Sequence, residues 1–155
     1  MDPQSELDMT SKSNVVSCLG GEQTALEPRP IPTPGAGELL LKLKCVGFCG
    51  TDLFKLTSNS VKPGMVLGHE IVGEVAALGD GINRFALGDR VVVPHHVPCG
   101  LCRLCQSGNE TMCDAFRDNL IDPGGFADHI LIRSRAAAQA AYKIPDTVSD
   151  AVAVF

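Results

Sequence analysis

Aromatic side chains are scarce in this chain, which has no tryptophan, one tyrosine and six phenylalanines among its 155 residues. Proteins that bind nucleic acids stack bases on aromatic rings or neutralise phosphates with an excess of basic side chains. This chain offers neither, because its formal net charge is -5 at pH 7. We therefore expect no nucleic acid among its partners.

Long apolar runs are also missing, and no stretch approaches the ~20 residues that a membrane-spanning helix needs. The first residues, MDPQSELDMTSKSN, are polar and acidic, whereas a secretion signal is basic and then apolar. We therefore expect no membrane association and a cytoplasmic location. In that reducing compartment, seven cysteines indicate metal binding or thiol reactivity rather than disulfide bonds.

Turn-forming residues are abundant, with 16 glycines and 10 prolines, and 45% of the chain is hydrophobic. This composition favours a single, mostly β domain with its own core and many turns. Apolar and partly alternating segments predict the strands. They are Val15–Leu19, Leu39–Gly47, Ile71–Leu78, Arg90–Pro94, Phe126–Ile132 and Ala141–Ile144.

The segments between the strands are predicted from their glycine, proline and helix-capping residues. Residues 1–13 are expected to be a disordered tail in front of one domain, residues 14–155. The segment EPRPIPTPGAGE, Glu27–Glu38, is predicted to be an extended loop because of its prolines and glycines. Thr51–Leu56 is predicted to be a short helix capped by Thr51 or Asp52.

The last part of the chain predicts an unfinished element. Arg133–Ala141 is alanine-rich and compatible with a helix, but we interpret it as a connection. A helix is expected to begin near Ser149, and the chain ends within its first turn at Phe155. We therefore expect a piece of a longer protein, with a natural, frayed terminus as the alternative.

Four cysteines lie close together in the segment CGLCRLCQSGNETMC. Cys99, Cys102 and Cys105 are separated by two residues each, and Cys113 follows after seven more. Zinc prefers four thiolates in a tetrahedron, and a Cys-x-x-Cys spacing lets two sulfurs face one ion from a tight turn. A disulfide cluster or unrelated free thiols is the alternative, but nothing else suggests a secreted protein. The sequence predicts a structural zinc site in a loop lobe.

A second group of candidate ligands comprises Cys49, within CVGFCGTD, and His69 and Glu70, within VLGHEIVGEV. A thiolate, an imidazole and a carboxylate can hold a catalytic zinc ion whose fourth position stays open to water or substrate. Each residue also has an ordinary explanation, as a buried core cysteine or as the start of a strand. Spacing alone does not decide between these interpretations.

The order of the motifs adds a family resemblance. CGTD, GHEIVGEV, FALGDRVVV and the four-cysteine segment together resemble the zinc-containing medium-chain alcohol and polyol dehydrogenases. The similarity covers essentially residues 15–155, and HHVPCGLC and PGGFA resemble the sorbitol (iditol) and threonine dehydrogenase branch. The resemblance implies a mostly β, partly open GroES-like barrel with a zinc-binding loop lobe, as a fragment of a two-domain dehydrogenase.

Roles for the site residues also follow from the resemblance. Cys49 and His69 would bind the catalytic zinc, and Glu70 would be a direct ligand or lie just behind the metal. Thr51 would hydrogen-bond the substrate alcohol and pass its proton outward. Asp52 would hold the free ring nitrogen of His69, and a helix-capping role for Asp52 is compatible with that.

One position departs from the family pattern. Many relatives carry a histidine where this chain has Phe54, and phenylalanine cannot carry a proton. The proton is therefore expected to leave through water or a cofactor ribose hydroxyl. His95 and His96 are the nearest candidates by type, although we expect at least one to be structural. Gly50 and Gly68 are expected to provide tight backbone geometry beside the ligands.

The cofactor is expected to lie on another part of the protein. Hydride transfer in this family needs NAD or NADP on a Rossmann unit with a glycine-rich turn, and these 155 residues contain no G-x-G-x-x-G. We therefore expect two zinc ions on this chain, NAD or NADP on a Rossmann domain outside it, and no activity of the chain alone. The longer protein would oxidise a small secondary alcohol or polyol to a ketone and form a homo-oligomer.

Three alternatives remain open at this point. The first is a stand-alone zinc-binding scaffold or interaction module without catalysis. A zinc-ribbon module for nucleic acid is disfavoured by the negative net charge. A quinone-type reductase without zinc is disfavoured because Cys49 and His69 are both present.

Overall fold

The computed structural model describes residues 12–58 and 60–155, and its first strand, β1, is Lys12–Gly20. Alternate side chains of this strand are buried, which is the pattern of a strand with one face on the core. The predicted tail, residues 1–13, therefore ends two residues too late. The rest of that tail, residues 1–11, lies outside the described residues.

The second strand, β2, is Gln23–Pro30 and pairs antiparallel with β1. Two of its residues, Pro28 and Pro30, lie opposite strand β1. Among the described strands β2 pairs only with β1, so it is an edge strand, where a missing N–H is tolerated. The loop predicted over Glu27–Glu38 is therefore wrong for its first four residues.

The other strands form one antiparallel sheet with the order β6-β7-β3-β4-β5-β8. In the part of the chain that the structure describes, the end strands β6 and β8 do not pair with each other, so the sheet does not close. The predicted mostly β, partly open architecture is confirmed. The strands are β3 (Leu39–Gly47), β4 (Glu70–Leu78), β5 (Arg90–Val93), β6 (Ile121–Asp122), β7 (His129–Ile132) and β8 (Tyr142–Lys143).

In the described part of the chain, four short α-helices lie between or after the strands. They are α1 (Gly50–Thr57), α2 (Arg103–Gln106), α3 (Ser134–Gln139) and α4 (Asp150–Ala153). The connection predicted over Arg133–Ala141 is wrong, since its alanines favour a helix and two of them are buried in α3. No helix within residues 12–58 and 60–155 is long and apolar enough to cross a membrane.

The core packs around β3 and β4, which are neighbours in the sheet. Leu39, Leu41, Ile71 and Ile130 are fully buried, and burial of each such side chain stabilises the fold by about 1.5–3 kcal/mol. Gly73 on β4 lets the two strands approach, because a Cβ there would lie 2.8 Å from the Cβ of Leu41. This packing fixes the register that brings the end of β3 beside the start of β4.

The C-terminal helix α4 is held to β5 by Arg90. The Arg90 guanidinium donates to Asp150 Oδ1 at 2.9 and 2.7 Å and to the carbonyl oxygen of Val148 at 2.7 Å. The helix begins directly after Ser149, as predicted, but the Ser149 side chain makes no capping hydrogen bond. An ion pair therefore takes the place of the expected cap.

Candidate metal centres and the adjoining cleft

The four predicted lobe cysteines converge on one point. The sulfur atoms of Cys99, Cys102, Cys105 and Cys113 all lie within 4.8 Å of one another. Short turns achieve this, because Cys102 precedes α2, Cys105 lies in it, and a 3-10 turn, Glu110–Met112, ends just before Cys113. The sulfur atoms of Cys102 and Cys105 are 3.5 Å apart, which is too far for a disulfide bond, and all four cysteines are free.

Backbone amides already solvate one of these sulfurs. The N–H groups of Leu101 and Cys102 donate to Cys99 Sγ at 3.5 and 3.4 Å. These two bonds, with a smaller contribution from the Cys113 thiol, lower the pKa of Cys99 to about 6. Burial raises the pKa of Cys105 to about 12. Four sulfurs from one loop, with N–H···S bonds around them, fit a tetrahedral thiolate-binding metal such as zinc.

The second predicted cluster also forms, but from two separate strands. Cys49 follows β3 as the N-cap of α1, and Glu70 is the first residue of β4. Because Gly47 and Glu70 are partners in the β3–β4 register, the fold brings Cys49, His69 and Glu70 together. Their donor atoms lie within 4.8 Å of one another, and all three residues are partly buried.

A glycine that the sequence analysis missed makes room for Glu70. The Glu70 carboxylate occupies the space where a Cβ on Gly47 would lie, and such a Cβ would also come within 2.9 Å of the Glu70 Cβ. Any other residue at position 47 would therefore displace Glu70. The signal was present in the quoted segment CVGFCGTD, but only the strand register shows which side chain the glycine accommodates.

Asp52 is a buried carboxylate that contacts both segments of the cluster. Its Oδ1 accepts the Gly68 N–H at 3.2 Å and lies 3.4 Å from Nδ1 of His69. Its Oδ2 accepts the Cys49 N–H at 3.2 Å, which caps helix α1. The structure thus shows the contact of Asp52 with His69 and a role for Asp52 in the capping box. The predicted cap position is wrong, because the N-cap residue of α1 is Cys49 and neither Thr51 nor Asp52.

Thr51 lies beside the thiol of the cluster. Its hydroxyl oxygen is 3.5 Å from Cys49 Sγ, and its backbone N–H donates to the same sulfur at 3.4 Å. Thr51 is exposed, so a small molecule at the cluster can reach its hydroxyl. Phe54, one turn further along α1, is 67% exposed.

The backbone just before His69 is clamped by a glycine pair. Gly125 N–H donates to the Gly68 carbonyl at 2.8 Å, and Gly68 has a positive φ of 86°. A Cβ on Gly68 would lie 2.9 Å from Phe126 N, so the predicted need for glycine there is confirmed. The same prediction is wrong for Gly50, where an added Cβ would meet nothing within 4 Å.

A row of imidazole rings extends the cluster. The ring centroids of His69 and His95 are 4.2 Å apart, those of His95 and His96 are 3.7 Å apart, and His96 packs on Phe116 at 5.0 Å. Burial, together with the neighbouring His96 and His69, lowers the pKa of His95 to about 4. Burial and the charge of Arg117 lower the pKa of His96. Spacing along the sequence did not indicate this contact with His69.

A cleft of about 670 Å³ meets the cluster at His69. His95, His96 and Asp52 also line it, on the side of the candidate metal site. The rest of the cleft is lined by charged side chains and by apolar ones such as Met65, Val66 and Ile121. One of the three donor residues, His69, therefore borders a cavity large enough for a small-molecule substrate.

The sequence of the chain is similar to those of known dehydrogenases. Residues 35–146 match the family described as the alcohol dehydrogenase GroES-like domain. Over 136 residues the chain is 36% identical to L-threonine 3-dehydrogenase of Stenotrophomonas maltophilia (strain K279a), a match that covers 84% of this chain and 39% of that enzyme.

Solved structures show the same relationship. The chain resembles acetophenone reductase of Geotrichum candidum NBRC 4597 in complex with NAD, with a TM-score of 0.76 and 34% identity over 92% of this chain and 42% of that one. It also resembles galactitol-1-phosphate dehydrogenase of Escherichia coli, with a TM-score of 0.78 and 25% identity over 92% of this chain and 41% of that one.

These matches cover both predicted ligand clusters and the strands that carry them. The chain spans about two fifths of the length of the proteins it matches. The resemblance drawn from the sequence motifs is confirmed. The chain belongs to the alcohol dehydrogenase GroES-like domain family of the zinc-type medium-chain dehydrogenases.

Proposed function

We propose that this chain is the zinc-binding catalytic portion of a dehydrogenase that oxidises a secondary alcohol to a ketone by hydride transfer to NAD or NADP. The observation that carries the proposal is the cluster of Cys49, His69 and Glu70, whose donor atoms lie within 4.8 Å of one another at the edge of a cleft. Two strands and a helix cap position these residues, so the cluster is a built site rather than a chance proximity.

The donor chemistry fits zinc. A thiolate, an imidazole and a carboxylate are all zinc ligands, and a site with three protein ligands leaves one position for substrate. Zinc bound there would supply Lewis-acid polarisation of the substrate oxygen. The room that Gly47 leaves for the Glu70 carboxylate supports Glu70 as the third ligand.

The chain's own residues would orient the ligands and transfer the proton. Asp52 lies against Nδ1 of His69, which fixes the ring and leaves Nε2 as the donor atom for the metal. Thr51 accepts the proton of the substrate hydroxyl, since its own hydroxyl is exposed beside Cys49. Because Phe54 cannot continue the relay, the proton would have to leave Thr51 through water or, with a cofactor bound, through its ribose hydroxyl.

The four-cysteine lobe would hold a second, structural zinc ion. Its four sulfurs close the coordination shell, so no position is left for a substrate. We assign Cys99, Cys102, Cys105 and Cys113 to that ion and two zinc ions to the chain in total.

The remaining components of the reaction lie outside these residues. NAD or NADP would be held by a Rossmann unit beyond the 155 residues, in a cytoplasmic homo-oligomer, and the chain alone would be inactive. The matched proteins act, by their names, on threonine, acetophenone and galactitol 1-phosphate. These names support an alcohol or ketone as the substrate, but the named compounds otherwise differ in structure.

Metal content tests the proposal directly. The purified chain is expected to carry two zinc ions by elemental analysis, and Cys49→Ser is expected to carry one. Cys45→Ser is a matched control, because Cys45 lies on β3, four residues before Cys49, and is partly buried outside the cluster. A wild-type content of one, or a content unchanged by Cys49→Ser, would contradict the catalytic site and favour the scaffold alternative.

Activity provides the second test. In the longer protein, reduction of NAD or NADP by a panel of secondary alcohols is expected to need Cys49 and His69. Turnover that survives the loss of either residue would contradict the proposed role of the cluster.

A further inference from the structure

The cleft beside His69 is lined by an unusual set of charges for a chain of net charge -5. Four basic side chains contribute to its wall, and three acidic ones do. The basic residues are Arg29, Lys55, Lys62 and Arg117, and the acidic residues are Asp52, Asp118 and Asp122. Which of these charges remain available to a ligand depends on their existing partners.

The acidic side chains of the cleft already have partners. Asp118 pairs with Arg135 at 2.9 Å, and Asp122 pairs with Arg133 at 2.7 Å. Neither arginine lines the cleft. Asp52 is buried and bound to backbone N–H groups and to His69, as described above. Arg133 also pairs with Glu38 at 3.3 Å, so it is shared between two carboxylates. Each acidic side chain of the cleft therefore has a partner, whereas the basic ones differ in this respect.

The basic side chains are in the opposite situation. Arg29 pairs with Glu27 at 2.7 Å. The other three, Lys55, Lys62 and Arg117, make no ion pair and no side-chain hydrogen bond with any residue in the described ranges. They come from three separate segments, namely α1, the loop before β4 and the turn after the lobe. Three positively charged side chains without an ion-pair partner in these ranges therefore line the same cleft.

We propose that the cleft binds an alcohol that carries an anionic group, a carboxylate or a phosphate, and that Lys55, Lys62 and Arg117 bind that group. The inference rests on the proposed function, because it names the substrate class of the same site. A concave wall focuses the field of its charges, so an anionic molecule would be concentrated next to His69. A neutral polyol would leave all three cations without a partner.

Binding measurements on the zinc-loaded chain test this inference without relying on turnover. The probes are glycerol 3-phosphate, L-lactate and glycerol, titrated calorimetrically at low ionic strength. All three carry a secondary hydroxyl, and only the first two carry an anion. Both anions, or one of them, are expected to bind at least tenfold more tightly than glycerol, and their ratio distinguishes a phosphate site from a carboxylate site.

Substitutions then assign the binding to the cleft. The double variant K55Q/R117Q is expected to weaken binding of the preferred anion by roughly tenfold or more, since each charge-assisted contact contributes on that order. Lys42→Gln is the matched control, because Lys42 is an exposed lysine on β3 that does not line the cleft. Equal binding of all three probes, or equal losses in the double variant and the control, would overturn the inference.

The Cys49→Ser chain separates this inference from the proposed function. An anion that only coordinates the metal would lose its affinity in Cys49→Ser and keep it in K55Q/R117Q, and that result would overturn the inference. Dependence on Lys55 and Arg117 that persists in Cys49→Ser would support it. Failure of the proposed function would instead appear as a zinc content that Cys49→Ser does not change.

Discussion

The two candidate metal sites are built in different ways. The lobe takes all four ligands from Cys99–Cys113, a single loop with its own turns and N–H···S bonds. The other cluster takes Cys49 from just after β3, His69 from just before β4 and Glu70 from the first position of β4, so its ligands come from two separate segments of the chain. The lobe therefore depends on its loop, and the cluster depends on sheet register and on the residues that support it.

Breaking the lobe should have the largest effect. Cys102→Ser is expected to release the lobe zinc and to open the loop. Zinc contributes roughly 10 kcal/mol to the folding of small metal-folded peptides, and a lobe on a larger domain should lose only part of that. Limited proteolysis between Pro98 and Asp114 is therefore expected to accelerate strongly, while the zinc at Cys49 is retained.

Cys45→Ser provides the matched control for that experiment, since it also removes a thiol but lies in the sheet. An unchanged cleavage pattern in Cys102→Ser would contradict a shared ion. Simultaneous loss of both zinc ions would show that the two sites are not independent.

The next effect concerns chemistry at the cluster alone. In the longer protein, Thr51→Val is expected to lower turnover by roughly 10²–10⁴-fold with both zinc ions bound, because it removes a positioned proton acceptor. Thr51→Ser keeps the hydroxyl and is expected to retain most of the rate. Steady-state kinetics together with metal analysis checks both variants. Wild-type turnover in Thr51→Val across pH would contradict the proposed relay.

The different constructions of the two sites explain what the sequence could predict. Two residues between successive cysteines are enough to place their sulfurs around one ion, so Cys99, Cys102 and Cys105 were identifiable from spacing. Cys49 and His69 are 20 positions apart in the numbering, and the family resemblance, rather than spacing, joined them. Their support by Gly47 depends on register, which no local pattern encodes.

The errors in the fold prediction have a similar origin. Proline was taken to exclude a strand at Pro28 and Pro30, but an edge strand needs few N–H donors. The alanines after Arg133 were taken as a connection, but two of them are buried and favour a helix. The cleft's cations were not predicted, because Lys55, Lys62 and Arg117 come together only in three dimensions.

A smaller effect should distinguish the cluster from the lobe through Gly47. Gly47→Ala places a Cβ against the Glu70 carboxylate, so Glu70 must move. Loss of such ligand positioning typically costs 10–100-fold in metal affinity, and we expect roughly that loss at the Cys49 cluster and none at the lobe. Competition with a chelator, followed by elemental analysis, measures both affinities in one sample.

Gly50→Ala is the matched control for that experiment, because Gly50 lies next to Cys49 and an added Cβ there meets nothing within 4 Å. It is expected to leave both affinities unchanged. Equal behaviour of Gly47→Ala and Gly50→Ala would remove Glu70 from the proposed ligand set, whereas a loss at both sites would indicate general unfolding.

The smallest expected effect is a pH dependence of the free energy of unfolding that arises in the sheet and not in the lobe. Burial, with a smaller contribution from the charge of Lys42, lowers the pKa of His129 on β7, against an opposing effect of Asp128. Above the unfolded pKa of about 6.5, the imidazole is neutral in both states. As the pH falls below that value, the unfolded chain binds the proton first, so the free energy of unfolding decreases until the folded pKa is reached.

His129→Gln removes this contribution, and the variant is expected to lose less stability than wild type between pH 7.5 and 5.5, by less than about 1 kcal/mol. Denaturant unfolding at both pH values measures the difference. The lobe contains no histidine from Cys99 to Cys113, so proteolytic cleavage within it should change with pH equally in wild type and variant. A pH dependence identical in wild type and His129→Gln would show that the proton acts elsewhere, and an altered lobe cleavage in the variant would show that sheet and lobe unfold as one unit.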